Sequence, residues 1–170
     1  YGFSLGTTAS IAGNSGDNVL IGGYATVAQT LTGNDGNDYL SGTAAADFLY
    51  GGNGVDTLLG RSGIDQLFGG DGNDSYYVEN LASTVTEAAG ATAGANDIIY
   101  TNVNATMAAN VETLFTYGAA TNVTGNADAN AMLGVYSTVG VTLNGLGGND
   151  TLYGSGRADV LNGGTENDTL

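Results

Sequence analysis

The sequence predicts an all-β protein in which short strands stack as successive coils of a parallel β-solenoid. Three observations predict it. Between residues 33 and 77 one nine-residue phrase repeats in tandem: GNDGNDYLS, GTAAADFLY, GGNGVDTLL, GRSGIDQLF and GGDGNDSYY. A longer stretch holding that phrase returns at a constant offset of 112 residues, from Gly13 and Gly125 through Leu58 and Leu170. Each phrase divides into a six-residue turn and a strand of only three residues, too short to stand without coils paired above and below it. Repeats nested in this way argue for a quasi-one-dimensional stack rather than a globule.

Four places of the phrase carry the fold. A glycine opens each copy (Gly33, Gly42, Gly51, Gly60, Gly69), and a second small residue follows three places later, as Gly36 does in the first. Glycine permits the φ > 0 turns that other residues resist. An aspartate holds the sixth place (Asp38, Asp47, Asp56, Asp65, Asp74), and a large apolar residue the eighth (Leu40, Leu49, Leu58, Leu67, Tyr76). Side chains alternate along a strand, so the eighth place points inward and the seventh and ninth point outward. Two phrases then make one flattened coil, and the leucines of successive coils stack into a thin core.

In chain order, residues 1–12 alternate apolar and small side chains as a half-buried strand does. GNSGDNVLI at 13–21 opens the metre with Asn18 at the aspartate place, and an eleven-residue unit, GGYATVAQTLT, follows at 22–32. With the tandem phrases this makes a first block, residues 1–77. From 78 to 124 the glycine metre stops. Runs such as STVTEA, NDIIYTNVNATM and NVETLFTY, rich in Val, Ile, Thr and Tyr, make this a β-rich segment continuing the solenoid, in the same coil or a wider one. MAANVE at 107–112 allows a single helical turn and no longer helix. The second block, 125–170, repeats 13–58. GNADANAML places Asn130 where Asn18 stood, and three phrases follow, opened by Gly145, Gly154 and Gly163 and carrying Asp150, Asp159 and Asp168. Both ends fall inside the pattern. The chain reads as an excerpt of a longer array; the other reading is a subunit stacking head to tail, Leu170 running on to Tyr1 and Gly2 as Leu152 runs on to Tyr153 and Gly154.

Composition narrows the chemistry. Seventeen acids stand against two basic residues, Arg61 and Arg157, for a formal charge of −15, and histidine, cysteine and proline are absent. No nucleic-acid surface and no polybasic membrane patch can be built from that, and no apolar run approaches membrane-span length. Zinc and redox chemistry lose their usual ligands. The aspartates recur at every turn, so those on one edge form a column at the strand spacing of about 4.8 Å. Unscreened, such a column repels itself. A hard cation between turns relieves the repulsion. Calcium takes about six to eight oxygens from carboxylates and from the carbonyls that glycine-rich turns expose, whereas magnesium holds its waters and fits poorly. The acids follow the repeat and do not converge on one pocket, which argues against a general acid–base pair. No histidine, cysteine or lysine is present as base or nucleophile. The chain is read as no enzyme.

In these phrases, and in GGDGNDSYYV followed by TVTEAAG, the sequence resembles the RTX, or haemolysin-type, calcium-binding repeat proteins of bacteria, over nearly its whole length. The resemblance implies a parallel β-roll with each Ca2+ lying between turns two phrases apart, held by the aspartate carboxylate and by carbonyls of glycine and variable turn positions. Carried over, Asp38 pairs with the 51–56 turn, Asp47 with 60–65, Asp56 with 69–74 and Asp150 with 163–168. Asp65, Asp74, Asp159 and Asp168 hold the same place before an altered or missing turn. Asn18 and Asn130 leave 13–21 and 125–133 without a full ion site, and GTAAAD, lacking the fourth-place glycine, has a weakened turn. At the third place Asp35, Asp71 and Asn53 either add a side-chain oxygen or are solvated loop polarity.

The reading that results is a calcium-binding structural repeat region of a secreted or cell-surface bacterial protein. It folds on calcium binding outside the cell and belongs to a fibre, surface layer or adhesin. The resemblance adds type I secretion. The alternative is a repeat module at the C-terminus of a type I-secreted enzyme (protease, lipase or epimerase), aiding its folding or substrate binding. Beyond several calcium ions the expected partners are further copies, joined head to tail or laterally, with no nucleic acid and no membrane insertion. Phe48, Tyr50 and Phe68 at outward places are either an open contact patch or ordinary ridge packing.

Overall fold

In each complete glycine–aspartate phrase a strand opens at the seventh place and closes at or beyond the ninth. The computed structural model describes residues 2–3, 10–24, 26–88 and 96–170. They fall into two compact units, Tyr1–Asn96 and Asp97–Leu170. The fold class is the one expected: all regular structure among the described residues is strand, and each unit is a parallel β-solenoid.

The first unit holds β1 (Gly2–Phe3), β2 (Ser10–Ala12), β3 (Val19–Ile21), β4 (Thr30–Asp35), β5 (Tyr39–Ser41), β6 (Phe48–Asn53), β7 (Thr57–Arg61), β8 (Gln66–Asp71), β9 (Ser75–Val78) and β10 (Thr84–Thr86). Odd strands follow one another in one sheet, even strands in the other. Every pairing is parallel, and apart from a shift between β7 and β9 beyond Leu59 the register is kept, so Leu20, Leu40, Leu58 and Tyr76 stack on one side and Ile11, Leu31, Leu49, Leu67 and Val85 on the other. Two phrases make a coil: Asp38 and Asp56, neighbours in adjacent coils, are 18 residues apart. The eleven-residue unit lengthens its coil, so that Asn18 and Asp38 are 20 apart. Leu31, Leu40, Leu49, Leu58 and Tyr76 have no exposed surface. At about 1.5–3 kcal/mol for each buried side chain, this ladder is the main apolar stabilisation of so thin a unit.

The second unit holds β11 (Ile98–Thr101), β12 (Ala105–Thr106), β13 (Thr113–Gly118), β14 (Asn122–Thr124), β15 (Ala131–Ser137), β16 (Thr142–Leu146), β17 (Thr151–Tyr153) and β18 (Val160–Gly164). It alternates in the same way. Ile99, Leu114, Met132 and Leu152 form one core column, and Val123, Leu143 and Leu161 the other. The segment without glycine metre is thus coil in both units. Residues 84–86 pair with 66–68 in the first, and 98–124 provide strands of the second. The residues of AAGATAGAN from 89 to 95 lie outside the described residues.

The helical turn allowed at 107–112 does not form. Its backbone groups are engaged by the next coil: Met107 N–H donates to Thr124 O at 2.8 Å, and Ala108 and Val111 carbonyls accept from Asn126 Nδ2 at 2.6 and 2.9 Å. The outward aromatics pack as a ridge, with the Tyr50 and Phe68 rings stacked at 4.7 Å. Tyr100 and Phe115 stack likewise at 5.3 Å in the second unit.

Turns are tied to one another by a ladder at the fifth place of the phrase. Asp17 Oδ1 accepts from Asn37 N–H, Asn37 Oδ1 from Val55 N–H, and Asn73 Oδ1 from Asn96 N–H, each at 2.8 Å. Val55, exposed at the same place, has no oxygen to pass on. Val55→Asn should complete the ladder to Asn73 N–H and stabilise the unit by about 1 kcal/mol. A urea midpoint unchanged or lowered in this variant would refute that role.

Candidate metal centre

The sixth-place residue of each turn sits at the mouth of a strand, and stacking places it over its counterpart in the next coil. One carboxylate oxygen has a fixed task. Asn18 N–H donates to Asp38 Oδ1, Asp38 N–H to Asp56 Oδ1 and Asp56 N–H to Asp74 Oδ1, at 2.7, 2.7 and 2.8 Å. On the opposite edge Gln29 N–H donates to Asp47 Oδ1 and Asp47 N–H to Asp65 Oδ1, at 2.7 and 2.9 Å. In the second unit Asn130 N–H donates to Asp150 Oδ1 and Asp150 N–H to Asp168 Oδ1, at 2.8 and 3.0 Å. Val141 N–H donates to Asp159 Oδ1 at 2.8 Å.

The second oxygen distinguishes the turns. At Asp38, Asp56 and Asp150, Oδ2 is buried and accepts no hydrogen bond. A carbonyl oxygen of the next coil stands near the same first-place glycine, as Gly60 O does at the Asp47 turn. A Cβ on Gly33 would collide with Asp38 Oδ2 and lie 2.6 Å from Gly51 O; on Gly51, with Asp56 Oδ2 and 2.7 Å from Gly69 O. Gly145 stands in the same way between Asp150 Oδ2 and Gly163 O. The glycine hydrogen thus leaves a small space walled by oxygens of two successive coils. Acceptors facing acceptors without a donor make an arrangement that a cation would satisfy.

The backbone explains which turns are open in this way. The second place has positive φ at Asn34 (84°), Gly52 (122°), Arg61 (66°), Gly70 (114°), Leu146 (82°) and Gly164 (110°). Asn14, Thr43, Asn126 and Ser155 lack it and donate their N–H to the sixth-place side-chain oxygen, at 2.7, 2.5, 2.9 and 2.8 Å. Asn130 goes further: its Nδ2 donates to Val111 O and Asn126 Oδ1, at 3.2 and 3.0 Å, an amide serving where a charge would otherwise be needed. Leu146, like Arg61, is a costly member of the open set, since a side chain in the left-handed region is disfavoured. Leu146→Gly should stabilise the second unit by roughly 0.5–1 kcal/mol. Loss of stability in urea would show that the leucine side chain matters more than its backbone.

Burial pushes the Asp56 carboxyl up to about 6 and that of Asp65 to about 7. Asp38 and Asp150 are raised for the same reason. In each, a backbone N–H from the preceding coil opposes the shift and neighbouring acids add to it. Asp159 is lowered, chiefly by Val141 N–H; burial opposes this, and the hydroxyl and N–H of Ser155 add to the lowering.

At the third place Asp35, Asn53 and Asp71 are exposed and side by side in register, with Asn53 Nδ2 donating to Asp35 Oδ1 at 2.7 Å. Some residues of the columns were not legible from the metre. Glu87 takes the first place opposite Gly69, where its carboxylate accepts from Tyr76 Oη–H and approaches the Asp74 side of the Gly69 space. Glu112 holds the aspartate place under Asn130, Ala131 N–H donating to its carbonyl at 2.8 Å, and Asp97 lies beneath it, its N–H donating to Glu112 Oε2 at 2.8 Å. Counting one coil from Gly69 or back from Asn130 would have found Glu87 and Glu112.

The family model of the RTX calcium-binding nonapeptide repeat matches the chain in four copies, over residues 9–24, 28–58, 50–80 and 142–170. No curated protein matches the chain.

Proposed function

Because the chain belongs to the RTX calcium-binding nonapeptide-repeat family, we propose that its buried, unpartnered carboxylate oxygens are the calcium ligands. Calcium binding by repeats of this family and the solenoid fold are its established features. The observation that carries the proposal is the triad of orphaned oxygens at Asp38, Asp56 and Asp150, each beside a first-place glycine that also lies close to a glycine carbonyl of the next coil. Asp38 with Gly51, Asp56 with Gly69 and Asp150 with Gly163 would hold the ions. Asp65, Asp74 and Asp168 supply further carboxylates from turns with the same backbone. The ion supplies a hard positive charge that the chain, with two arginines in 170 residues, does not.

From this follows a conditional fold. The sites exist only when coils are stacked, so binding free energy is folding free energy. In low calcium the carboxylates repel and the chain stays extended; in millimolar calcium, as outside a cell, it folds. The role that fits is structural and non-enzymatic, as part of a secreted or surface-exposed fibre, layer or adhesin. Far-UV circular dichroism of the chelated protein, titrated with calcium and with magnesium as control, tests the proposal. A transition from coil to β specific to calcium is expected. A β spectrum indifferent to chelator would mean that the leucine ladder suffices without ions.

A further inference from the structure

In the turns opened by Gly42 and Gly154, the chain's own donors stand where a cation would. Thr43 N–H reaches Asp47 Oδ2 at 2.5 Å, and its hydroxyl lies 3.0 Å from that oxygen and 3.2 Å from Oδ1. Ser155 treats Asp159 alike, its N–H donating to Oδ2 and its hydroxyl to Oδ1, both at 2.8 Å. These are the same position in two copies of the longer repeat, 112 residues apart, so the arrangement recurs with a different side chain. At Asp38, Asp56 and Asp150, by contrast, Oδ2 has no donor, and the second-place residue (Asn34, Gly52, Leu146) has left-handed φ.

Resting on the calcium reading above, we propose that the aspartates are of two kinds: ions lodge at the open turns of Asp38, Asp56 and Asp150, while Thr43 and Ser155 keep Asp47 and Asp159 free of calcium. To bind there an ion would have to displace two donors from a carboxylate, both stronger than neutral hydrogen bonds. The turn would also have to open. Threonine, branched at Cβ, resists the positive φ that an open turn takes at this place. The closed turns therefore satisfy their carboxylates with or without metal, so that each unit carries a turn that folds on hydrogen bonds alone beside its ion-bearing ones. A residue pattern follows: a hydroxyl side chain at the second place marks an aspartate withdrawn from metal binding.

Isothermal titration of the full chain with calcium, in wild type and three variants, tests this. Asp47→Asn should leave the number of bound ions unchanged, and Asp56→Asn should lower it. Thr43→Gly, which removes the hydroxyl and permits the open backbone, should add an ion or tighten the weakest class by roughly tenfold. Equal ion loss in Asp47→Asn and Asp56→Asn would overturn the inference, as would weaker binding in Thr43→Gly, which would make the threonine oxygen a ligand. Since a variant can fail to fold, amide hydrogen exchange on the wild type provides a second readout. Thr43 and Ser155 amides should be protected at saturating calcium, and rapid exchange of both in the calcium-loaded protein would equally overturn it. A wild type that binds no calcium would instead defeat the parent reading, and would do so in the first titration.

Discussion

Replacing Gly51 with alanine should remove the ion between the 51–56 and 69–74 turns, while the same change at Gly156 leaves calcium binding intact. Gly51 is informative because its φ is ordinary, so alanine brings no backbone strain. What it brings is a methyl group in the space between Asp56 Oδ2 and the Gly69 carbonyl, the latter 2.7 Å from the ideal Cβ. Neither neighbour can give way easily: one is backbone, and the other is fixed by the bond its Oδ1 accepts from Asp38 N–H. Overpacking of this kind destabilises by about 1–3 kcal/mol even without metal. In calcium the loss should be larger, since binding adds stability in proportion to the logarithm of ion concentration over Kd. Gly156 has nothing within 4 Å of its Cβ position and serves as the control. Calcium titration and urea unfolding of both variants provide the check. A Gly51→Ala protein that binds as many ions as wild type would show that the space holds no metal.

The core was legible because one place of the phrase decides it. A leucine every ninth residue, alternating between two sheets, fixes both the coil of two phrases and the register in which Leu40 meets Leu58 and Leu31 meets Leu49. The eleven-residue unit changed nothing essential, because extra residues in a turn lengthen a coil without moving its strands. Two features escaped. Glu87, Glu112 and Asp97 hold places in the same columns, yet the glycines that announce those places are gone by then. Stacking, not glycine, sets the position, so only counting coils reveals it. The difference between Asp47 and Asp56 escaped for another reason. Both follow the phrase, but Thr43 donates to Asp47 from a backbone that Gly52 does not share. A single φ angle separates them, and the metre of the sequence is silent on it. The solenoid is thus written in the eighth place, and its chemistry in the second and sixth together.

Acid should stabilise the calcium-free protein and weaken the calcium-loaded one, a crossing that few other arrangements produce. The sign follows from burial. With Asp56 raised to about 6, Asp65 to about 7, and Asp38 and Asp150 also raised, the folded chain binds protons more tightly than the unfolded chain, whose aspartates titrate near about 3.9. Where the native state holds more protons, unfolding free energy falls as pH rises. That stability is fully present below about pH 4 and lost as pH climbs through 6 and 7, where the column ionises and repels itself. In chelator, where the chain is extended at neutral pH, a folded state should therefore appear and its urea midpoint rise as pH is lowered from 7.5 toward 4.5, a proton at each buried carboxylate doing in part what an ion does. With calcium present the same protons compete with the metal for Asp56 and its counterparts, so apparent affinity should fall through this range and the two stability curves converge. Urea unfolding at half-unit steps of pH, with and without calcium, reads both slopes. A calcium-free midpoint that falls on acidification would mean that these carboxylates are held by native cationic or hydrogen-bonding partners. The orphaned oxygens would then lose their claim to a metal.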